Sequence, residues 1–326
     1  MPKVTIHDVA REASVSVGTV YRAINNKDRI SFETQQRVLE TVERLGYKAN
    51  TVARGLALHG KFTILFILPI KPEFFWDDVL KGCHRAADKL SEFGVKVIIH
   101  RYMNYRVTGT NEEDDEIILP LLKERKVDGI ILCAVRYKDK AKKIVECAER
   151  ENIPYCYLNE PGEGLRSLFF YGPDNCLAGR MAAELMIKFT SRQGPYLTVS
   201  TKKTTTDGLR ERSFRKYILE NTTEECHSLV CPETEVCHEM LEDFLKSHPG
   251  IRGVYLVQHT PMVNALPVLE AVPGLAVIGH ECSEKAEQAL KRGTVTALLA
   301  QEKVCQGYRP TMMLYDYLVT GEKPDR

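Results

Sequence analysis

Short, continuous apolar runs alternate with amphipathic stretches of helical length from Lys61 onward, and this alternation limits the fold more than any other feature of the sequence. Continuous runs of this kind are typical of parallel strands that are buried on both faces. The runs are Ile64 to Leu68, Val95 to Ile99, Val127 to Leu132, Ile153 to Leu158, Tyr196 to Val199, Val254 to Val257, Leu275 to Ile278 and Val295 to Leu299. The helical stretches include Asp77 to Phe93, Glu113 to Arg125, Lys138 to Glu151, Leu177 to Phe189, Leu209 to Leu219 and Glu235 to Lys246. The pattern predicts a doubly wound α/β body, and about 265 residues are enough for two lobes.

Composition agrees with a folded, water-soluble protein. Of the 326 residues, 44% are hydrophobic and 27% are charged. No window reaches the roughly 18 apolar residues that a membrane-spanning helix needs, and charged residues interrupt the segment Met1 to Lys27, where a signal peptide would be apolar. We therefore expect a cytoplasmic protein with no membrane partner. The ten cysteines are scattered, which favours reduced thiols over a disulfide framework. We treat five of them as small hydrophobic residues: Cys83, Cys133, Cys147, Cys156 and Cys282.

The first 48 residues form a different pattern, that of three short helices. Thr5, Ser16 and Ser31 are placed to cap them, because a hydroxyl at this position accepts a hydrogen bond from the first turn. The second helix begins about three residues after the first one ends, so the two must meet at a sharp turn. A third helix, ending near Gly46, supports the pair. The pattern predicts a helix-turn-helix.

Charge is distributed unevenly along the chain. Residues 1–61 contain ten Lys and Arg against six Asp and Glu, a net charge of +4, while the remainder carries a net charge of −3. This modest basic excess favours a polyanion partner at the amino-terminal end.

The head and the body both resemble the lactose-repressor (LacI) family. In the head the resemblance lies in the segments Thr5 to Asn25, Ser31 to Arg37, Leu45 to Tyr47, Asn50 and Ala53 to Ala57. In the body it lies in Pro72 to Gly82, Asp128 to Leu132, Asp174 to Arg180, Ala300 to Gly307 and Leu314 to Pro324. The resemblance implies a DNA-binding head, a hinge, and a body with the sugar-binding periplasmic fold.

A set of DNA-contacting residues follows from the resemblance and from helix-turn-helix geometry. Val17, Gly18 and Arg22 would face base edges, and a guanidinium such as that of Arg22 can bind guanine in a bidentate manner. Phosphate contacts would come from Ser16, Thr19, Asn25, Ser31, Thr34 and Tyr47. The set is completed by Thr5, Asn50, Ala53, Arg54 and Leu56, and Leu56 would be the leucine that enters the minor groove.

In the head and hinge, Gly18 leaves one base-reading position blank, and Gly55 and Ser14 depart from the family pattern. Gly18 has no side chain with which to contact a base, so the operator cannot be copied from a relative. Gly55 should cost about 0.5 to 1 kcal/mol in a short hinge helix, making its folding more dependent on DNA and dimerisation. Ser14 replaces the usual glycine of the turn, and we expect slight strain there.

A polyol needs an aromatic surface for its C–H face and polar groups around its hydroxyls, and the resemblance assigns both. The candidate ligand-binding residues are Phe74, Phe75, Trp76, Arg136, Arg210, His259, Glu281 and Gln301. His259 stands where asparagine is usual and Glu281 where aspartate is usual, so the ligand need not be that of the relatives. The alternatives are that the aromatics are core residues, that Arg210 forms a surface ion pair, and that His259 and Glu281 only begin helices. Asp174 and Asn175 are more consistent with a helix cap than with ligand binding.

The sequence therefore predicts a cytoplasmic, homodimeric transcription factor with three regions: residues 1–48 as a helix-turn-helix domain, 49–60 as a hinge, and 61–326 as a two-lobed body. Lobe one would comprise about 61–160 plus 297–322, and lobe two about 161–296. Its partners would be a pseudo-palindromic double-stranded operator and a small carbohydrate-like effector. Relatives usually continue past Pro324 into a last strand. Accordingly, either the second lobe lacks an edge strand or the sequence is a piece of a longer one.

Other classes of function are less consistent with the sequence. No P-loop, dinucleotide fingerprint, nucleophile elbow or zincin motif is present, so we expect neither an enzyme nor a cofactor. Cys226, Cys231 and Cys237 with their neighbouring histidines have poor spacing for zinc, and we expect no metal. The alternatives left open are a sugar sensor whose head does not bind DNA and a sugar-modifying enzyme.

Overall fold

The computed structural model describes residues 4–24, 30–45, 62–102, 112–133, 138–162, 167–201, 205–232 and 236–324 of the chain. The helices are α1 (Ile6–Glu12), α2 (Val17–Ile24), α3 (Phe32–Leu45), α4 (Glu73–Ser91), α5 (Glu112–Lys123), α6 (Lys138–Arg150), α7 (Asn175–Phe189), α8 (Thr205–Asn221), α9 (Cys237–Ser247), α10 (His259–Glu270), α11 (Glu284–Arg292) and α12 (Lys303–Thr320). The strands are β1 (Thr63–Pro69), β2 (Lys96–Tyr102), β3 (Gly129–Leu132), β4 (Tyr155–Leu158), β5 (Phe170–Tyr171), β6 (Tyr196–Thr201), β7 (Cys226–Cys231), β8 (Gly253–Leu256), β9 (Ala276–His280) and β10 (Ala297–Leu299).

Two parallel sheets form the body, as the alternation of apolar runs predicts. The first has the strand order β2-β1-β3-β4-β5 and the second has the order β10-β9-β8-β6-β7. All of the pairs between neighbouring strands are parallel. The doubly wound fold is therefore confirmed.

Strand β1 shows why continuous apolar runs mark these sheets. Its residues from Ile64 to Leu68 are all fully buried. Leu65 and Ile67 belong to one hydrophobic cluster, whereas Ile64, Phe66 and Leu68 belong to a second one on the other face of the sheet. A strand with helices on both faces buries every side chain, and the period of two disappears from its sequence.

The strand pairings move two boundaries of the predicted lobes. Phe170 and Tyr171 pair with β4 of the first sheet, although the sequence placed them in lobe two. Ala297 to Leu299 pair with β9 of the second sheet, although the sequence placed them in lobe one. The chain therefore crosses between the lobes at residues 172–174 and returns at 300–302. An apolar run predicts a strand but contains no information about which sheet it joins.

Helix α12 holds the returning chain against the first lobe. Its Leu314, Tyr315 and Val319 lie in the core of that lobe. At its contact with α4 the backbones approach so closely that a Cβ added to Gly82 would lie 2.0 Å from the carbonyl oxygen of Val304. The start of α12 therefore packs against the middle of α4.

Candidate DNA-binding head and interlobe cleft

The three helices of the head are capped as the sequence predicts. The Thr5 hydroxyl accepts from the backbone N–H of Asp8, and the Asp8 carboxylate accepts in turn from the N–H of Thr5, which completes a capping box. The Ser16 hydroxyl accepts from the N–H of Thr19 at 3.1 Å. The Ser31 hydroxyl accepts from the N–H of Thr34 at 3.3 Å. These caps fix the helix starts.

A small apolar core sets the angle between the helices. Val9 and Ala13 of the first helix region pack with Val20, Ala23 and Val38, all of them buried. Helix α2 therefore turns Val20 and Ala23 inward, while Gly18 is exposed and Val17 and Thr19 are half-buried. The turn before α2 contains Ser14 at φ +53°, the left-handed conformation in which we expected slight strain.

The hydroxyl pairs of the head lie at helix starts, where anions bind well. The hydroxyls of Ser16 and Thr19 are 2.9 Å apart, and those of Ser31 and Thr34 are 2.8 Å apart. Helix amino termini carry partial positive charge and unpaired N–H groups, which suits DNA phosphates. The remaining predicted DNA contacts cannot be placed: the Arg22 side chain, Asn25, Tyr47, Asn50, Ala53, Arg54 and Leu56 lie outside the described residues.

In the body, four segments meet between the lobes: the starts of α4 and α10, residues 281–283 after β9, and the returning segment 300–303. The Phe74 ring of the first lobe lies 4.2 Å from the His259 ring of the second, measured between centroids. Lys303 contacts both the backbone and the ring of Phe74. Its Nζ donates to the Phe74 carbonyl oxygen at 2.9 Å and lies 5.5 Å from the centre of the ring. Nζ also pairs with Asp78 at 2.9 Å.

His259 begins α10, as one of the sequence alternatives proposed, and it also contacts the opposite lobe. Its Nε2 shares a hydrogen bond with the Ser283 hydroxyl at 2.7 Å. Burial, with the nearby Lys303 charge, lowers the pKa of His259 to about 4. The imidazole is therefore neutral at physiological pH, when it can offer one donor and one acceptor.

Arg210 is buried and not in a surface ion pair. Only 7% of its surface is exposed. Its Nε donates to Asn175 Oδ1 at 2.8 Å, and its Nη1 donates to the Val257 carbonyl oxygen at 3.3 Å. Asp174 caps α7 through the N–H of Leu177, as expected, whereas Asn175 orients Arg210. The surface alternative for Arg210 is therefore wrong.

Glu281 is the most unusual polar residue of this cleft. It is 6% exposed and adopts φ +68°, a conformation that is costly for a residue with a side chain. Its Oε1 accepts from Gln301 Nε2 at 2.5 Å, but its Oε2 has no hydrogen-bond partner among the described residues. Burial raises the pKa of Glu281, while Gln301, Arg210 and Lys303 act in the opposite direction. It lies in an irregular segment, so the alternative that it begins a helix is wrong.

A chain of amides connects Glu281 to the first lobe. Gln306 Nε2 donates to Gln301 Oε1 at 2.7 Å. Asn159 Nδ2, just past the end of β4, donates to Gln306 Oε1 at 3.1 Å. Asn159, Gln306 and Gln301 therefore link the two lobes beside the crossing segments.

The structure separates the other predicted ligand residues. Phe75 and Trp76 are 7% and 3% exposed and pack in the core of the first lobe, as the core alternative proposed. Arg136 lies outside the described residues. Sequence reasoning missed Lys303, Asn159 and Gln306. The signal available for Lys303 was its position two residues after Gln301, but nothing local indicates that its charge turns toward Phe74.

Within the described ranges, no helix is long and apolar enough to cross a membrane, and no three His, Cys, Asp or Glu side chains are grouped so as to hold a metal ion.

Comparison with known proteins identifies both parts. Residues 64–323 match the family described as periplasmic binding protein domain, and residues 5–50 match the family described as bacterial regulatory proteins, lacI family. The chain belongs to the periplasmic binding protein domain family and carries a lacI-family head. The resemblance noted in the sequence is confirmed for both parts.

Individual relatives agree with this assignment. Catabolite control protein A of Priestia megaterium is 37% identical over 129 residues, which cover 39% of this chain and 36% of the relative. The match thus spans about a third of that relative's length. The solved complex of the transcriptional regulator CelR with cellobiose is 21% identical, with a TM-score of 0.61 over 99% of this chain and 95% of that chain. The Lac repressor dimer bound to operator and the anti-inducer ONPF is 17% identical, with a TM-score of 0.59 over 98% and 94%. At these identities the two structures establish the shared fold.

Proposed function

We propose that this protein is a transcriptional regulator that binds operator DNA through its lacI-family head and is controlled by a small carbohydrate-like effector in the interlobe cleft. The observation that carries the proposal is the occurrence, in one chain, of a capped helix-turn-helix and, between the lobes, of a buried carboxylate with one oxygen that has no hydrogen-bond partner in the described part of the chain. Because its target is DNA, we place it in the cytoplasm. It acts by binding and not as an enzyme.

The head supports sequence-specific binding to duplex DNA. Helix α2 exposes Gly18 beside Val17, so the backbone of this helix can approach the floor of the major groove closely. Ser16, Thr19, Ser31 and Thr34 are placed at helix starts to receive phosphates, which fixes the register of the head on the duplex. We assign base recognition to Arg22. Residues 1–48 are the DNA-binding domain of this proposal, and residues 49–60 are its hinge.

The cleft favours an uncharged effector with several hydroxyl groups. Its described charges balance, since Arg210 and Lys303 oppose Glu281 and Asp78. Glu281 Oε2 can accept a hydrogen bond, the neutral His259 can both donate and accept, and the Phe74 ring offers a surface for C–H groups. A sugar or polyol satisfies all three. CelR, with the same fold, was solved with cellobiose.

Control of DNA binding would act through lobe closure. Effector bound between Phe74 and Glu281 contacts both lobes, and it therefore shifts the population toward the closed arrangement. In a homodimer, which is the state of the Lac repressor neighbour, such closure changes the spacing of the two hinges. Whether effector releases or recruits DNA is decided by the measurement below.

The proposed DNA binding is tested by selecting fragments from a randomised duplex library and measuring their affinity by fluorescence anisotropy across a salt series. We expect a pseudo-palindromic consensus and affinity that falls steeply with salt. Arg22→Ala should weaken consensus binding by roughly 10- to 100-fold and relax one base position. Arg252→Ala, which removes an exposed arginine of the second lobe, should have no effect. Salt-insensitive or absent duplex binding would contradict operator binding by the head. It would favour the alternative of a sugar sensor whose head does not bind DNA.

The proposed effector binding is tested by a thermal-shift screen of neutral sugars, polyols and sugar phosphates. A ligand at 100 times its Kd adds about 2.7 kcal/mol of stability. We expect stabilisation by a neutral sugar or polyol, loss of that shift in Glu281→Gln, and a change in operator affinity when the ligand is added to the full chain. Stabilisation by sugar phosphates alone would contradict the charge balance of the cleft, and chemical conversion of the bound sugar would favour an enzyme.

A further inference from the structure

Two cysteines of the second lobe lie in direct contact. Cys231 is the last residue of β7 and Cys237 is the first residue of α9. Their Sγ atoms are 2.7 Å apart, and both side chains are fully buried. Non-bonded carbon atoms make their best contact at about 3.5 to 4.0 Å, and the two sulfur atoms lie much closer than that. A disulfide needs about 2.05 Å, so only a small further approach separates the pair from a covalent bond.

We propose that Cys231 and Cys237 form a reversible intramolecular disulfide when the protein meets a hydroperoxide. Neither cysteine belongs to the DNA-binding head or to the interlobe cleft, and the proposal does not depend on the function proposed above.

The chemistry of the step balances with a hydroperoxide as the oxidant. The thiolate of one cysteine attacks the O–O bond and becomes a sulfenic acid, and the peroxide is reduced to water or an alcohol. The second thiol then attacks the sulfenic sulfur, the S–S bond forms, and water leaves with the hydroxyl group. Two electrons pass from the two thiols to the peroxide. A dithiol reductant reverses the reaction by thiol–disulfide exchange.

Cys231 is suited to the first step. The contact between the two sulfur atoms lowers the pKa of Cys231 and raises the pKa of Cys237. The nucleophile in these reactions is the thiolate, so the pair supplies one activated sulfur and one resolving thiol. Single buried cysteines elsewhere in the protein are less reactive than Cys231, because burial raises the pKa of the Cys83 and Cys156 thiols.

Burial sets the rate of oxidation and also protects the product. Both sulfurs lie in the hydrophobic core that includes Leu241 and Val199. Pro232, which directly follows Cys231, is exposed, so the pair lies close to the surface despite its burial. We expect slow oxidation through local opening, accelerated by mild denaturant, and no mixed disulfide with bulky thiols.

The test is peptide mapping of the full chain after treatment with hydrogen peroxide and blocking of the remaining thiols with N-ethylmaleimide. Cleavage after glutamate separates the two cysteines at Glu233 and Glu235, so the disulfide appears as peptide 226–233 joined to peptide 236–239. We expect this linked pair with a loss of two hydrogens, and its disappearance after dithiothreitol.

Serine variants identify the bond and provide the control. Cys231→Ser and Cys237→Ser should each abolish the linked pair, whereas Cys226→Ser, which removes the other thiol of the same peptide, should retain it. Full labelling of Cys231 and Cys237 by N-ethylmaleimide in peroxide-treated, unfolded wild type would overturn the proposal. A link that is lost in Cys226→Ser would also overturn it. If a serine variant fails to fold, fragmentation of the linked wild-type peptides decides the matter, because N-ethylmaleimide on Cys226 shows that Cys231 carries the bond and N-ethylmaleimide on Cys231 overturns the proposal.

Discussion

At the scale of single residues, the cleft contains ionisable groups whose protonation is set by burial. His259 is the clearest case, since burial holds its pKa near 4, whereas an unfolded histidine titrates near 6.5. The folded state therefore prefers the neutral imidazole that bonds to Ser283 and lies against Phe74. Glu281 shows the opposite direction, because burial raises the pKa of a carboxyl group.

The His259 shift predicts a pH dependence of stability. Between the two pKa values the unfolded state binds the proton that the folded state rejects, so this contribution to stability is lost as the pH falls below about 6.5. From about pH 7.5 to about pH 5, we expect wild type to lose about 2 kcal/mol more than His259→Asn does. Asparagine does not titrate, so its stability lacks this dependence on pH. Urea unfolding at the two pH values measures the difference, and equal losses in both proteins would disprove the shift.

At the scale of elements, the contact between α4 and α12 depends on two glycines. Beyond the close approach at Gly82, a Cβ at Gly307 would lie 2.0 Å from the Val79 carbonyl oxygen and 2.6 Å from the Cys83 nitrogen. Both neighbours are backbone atoms, which cannot rotate away as a side chain can. The pair packs the start of α12 against the middle of α4, and from there the Lys303 side chain reaches the Phe74 carbonyl oxygen.

Gly307→Ala should therefore destabilise the first lobe by about 1 to 3 kcal/mol. The matched control is Gly208→Ala in α8, where an added Cβ meets no atom of the described residues within 4 Å. Alanine there should be neutral or stabilising by up to about 1 kcal/mol, since it is the better helix former. Thermal unfolding of the two variants compares them directly. Equal melting temperatures for both would show that the helices can separate at no cost.

At the scale of the whole molecule, the two lobes are connected by polar side chains as well as by the crossing segments. The amides of Asn159, Gln306 and Gln301 lead from the end of β4 to the Glu281 carboxylate. A ligand that completes the hydrogen bonds of Glu281 therefore acts on groups held by both lobes.

Gln301→Leu should weaken effector binding and with it the response of DNA binding to effector. The change leaves Glu281 and Gln306 without their shared hydrogen-bond partner. Each buried polar group that stays unpaired costs about 1 to 3 kcal/mol of free energy. We expect operator affinity without effector to be unchanged and effector affinity to fall about tenfold or more. Gln288→Leu, at an exposed position of α11, is the control and should behave as wild type. Unaltered effector response in Gln301→Leu would exclude the amide chain as the connection. Anisotropy titrations with and without the sugar found by the screen provide the measurement.

Sequence patterns predicted local features well and spatial partners poorly. The caps of Thr5, Ser16 and Ser31 were predictable because a cap acts within one turn of helix. Strand β7 was not predicted, since its residues from Cys226 to Val230 are only partly buried or exposed at the sheet edge and interrupt any apolar run. Strand β5 has two residues, too few for a periodic pattern.

The sequence by itself determined the class of the molecule: a capped helical head, and a body of buried strands alternating with helices. These follow from periodicity and capping, which depend on neighbours along the chain. Only the tertiary structure decided that β10 joins the second sheet, that Trp76 lies in the core, and that Lys303 reaches Phe74. It also decided that two cysteines six positions apart touch. Each of these depends on contacts between distant segments or on the path of a loop, which packing and burial select and local propensity does not encode.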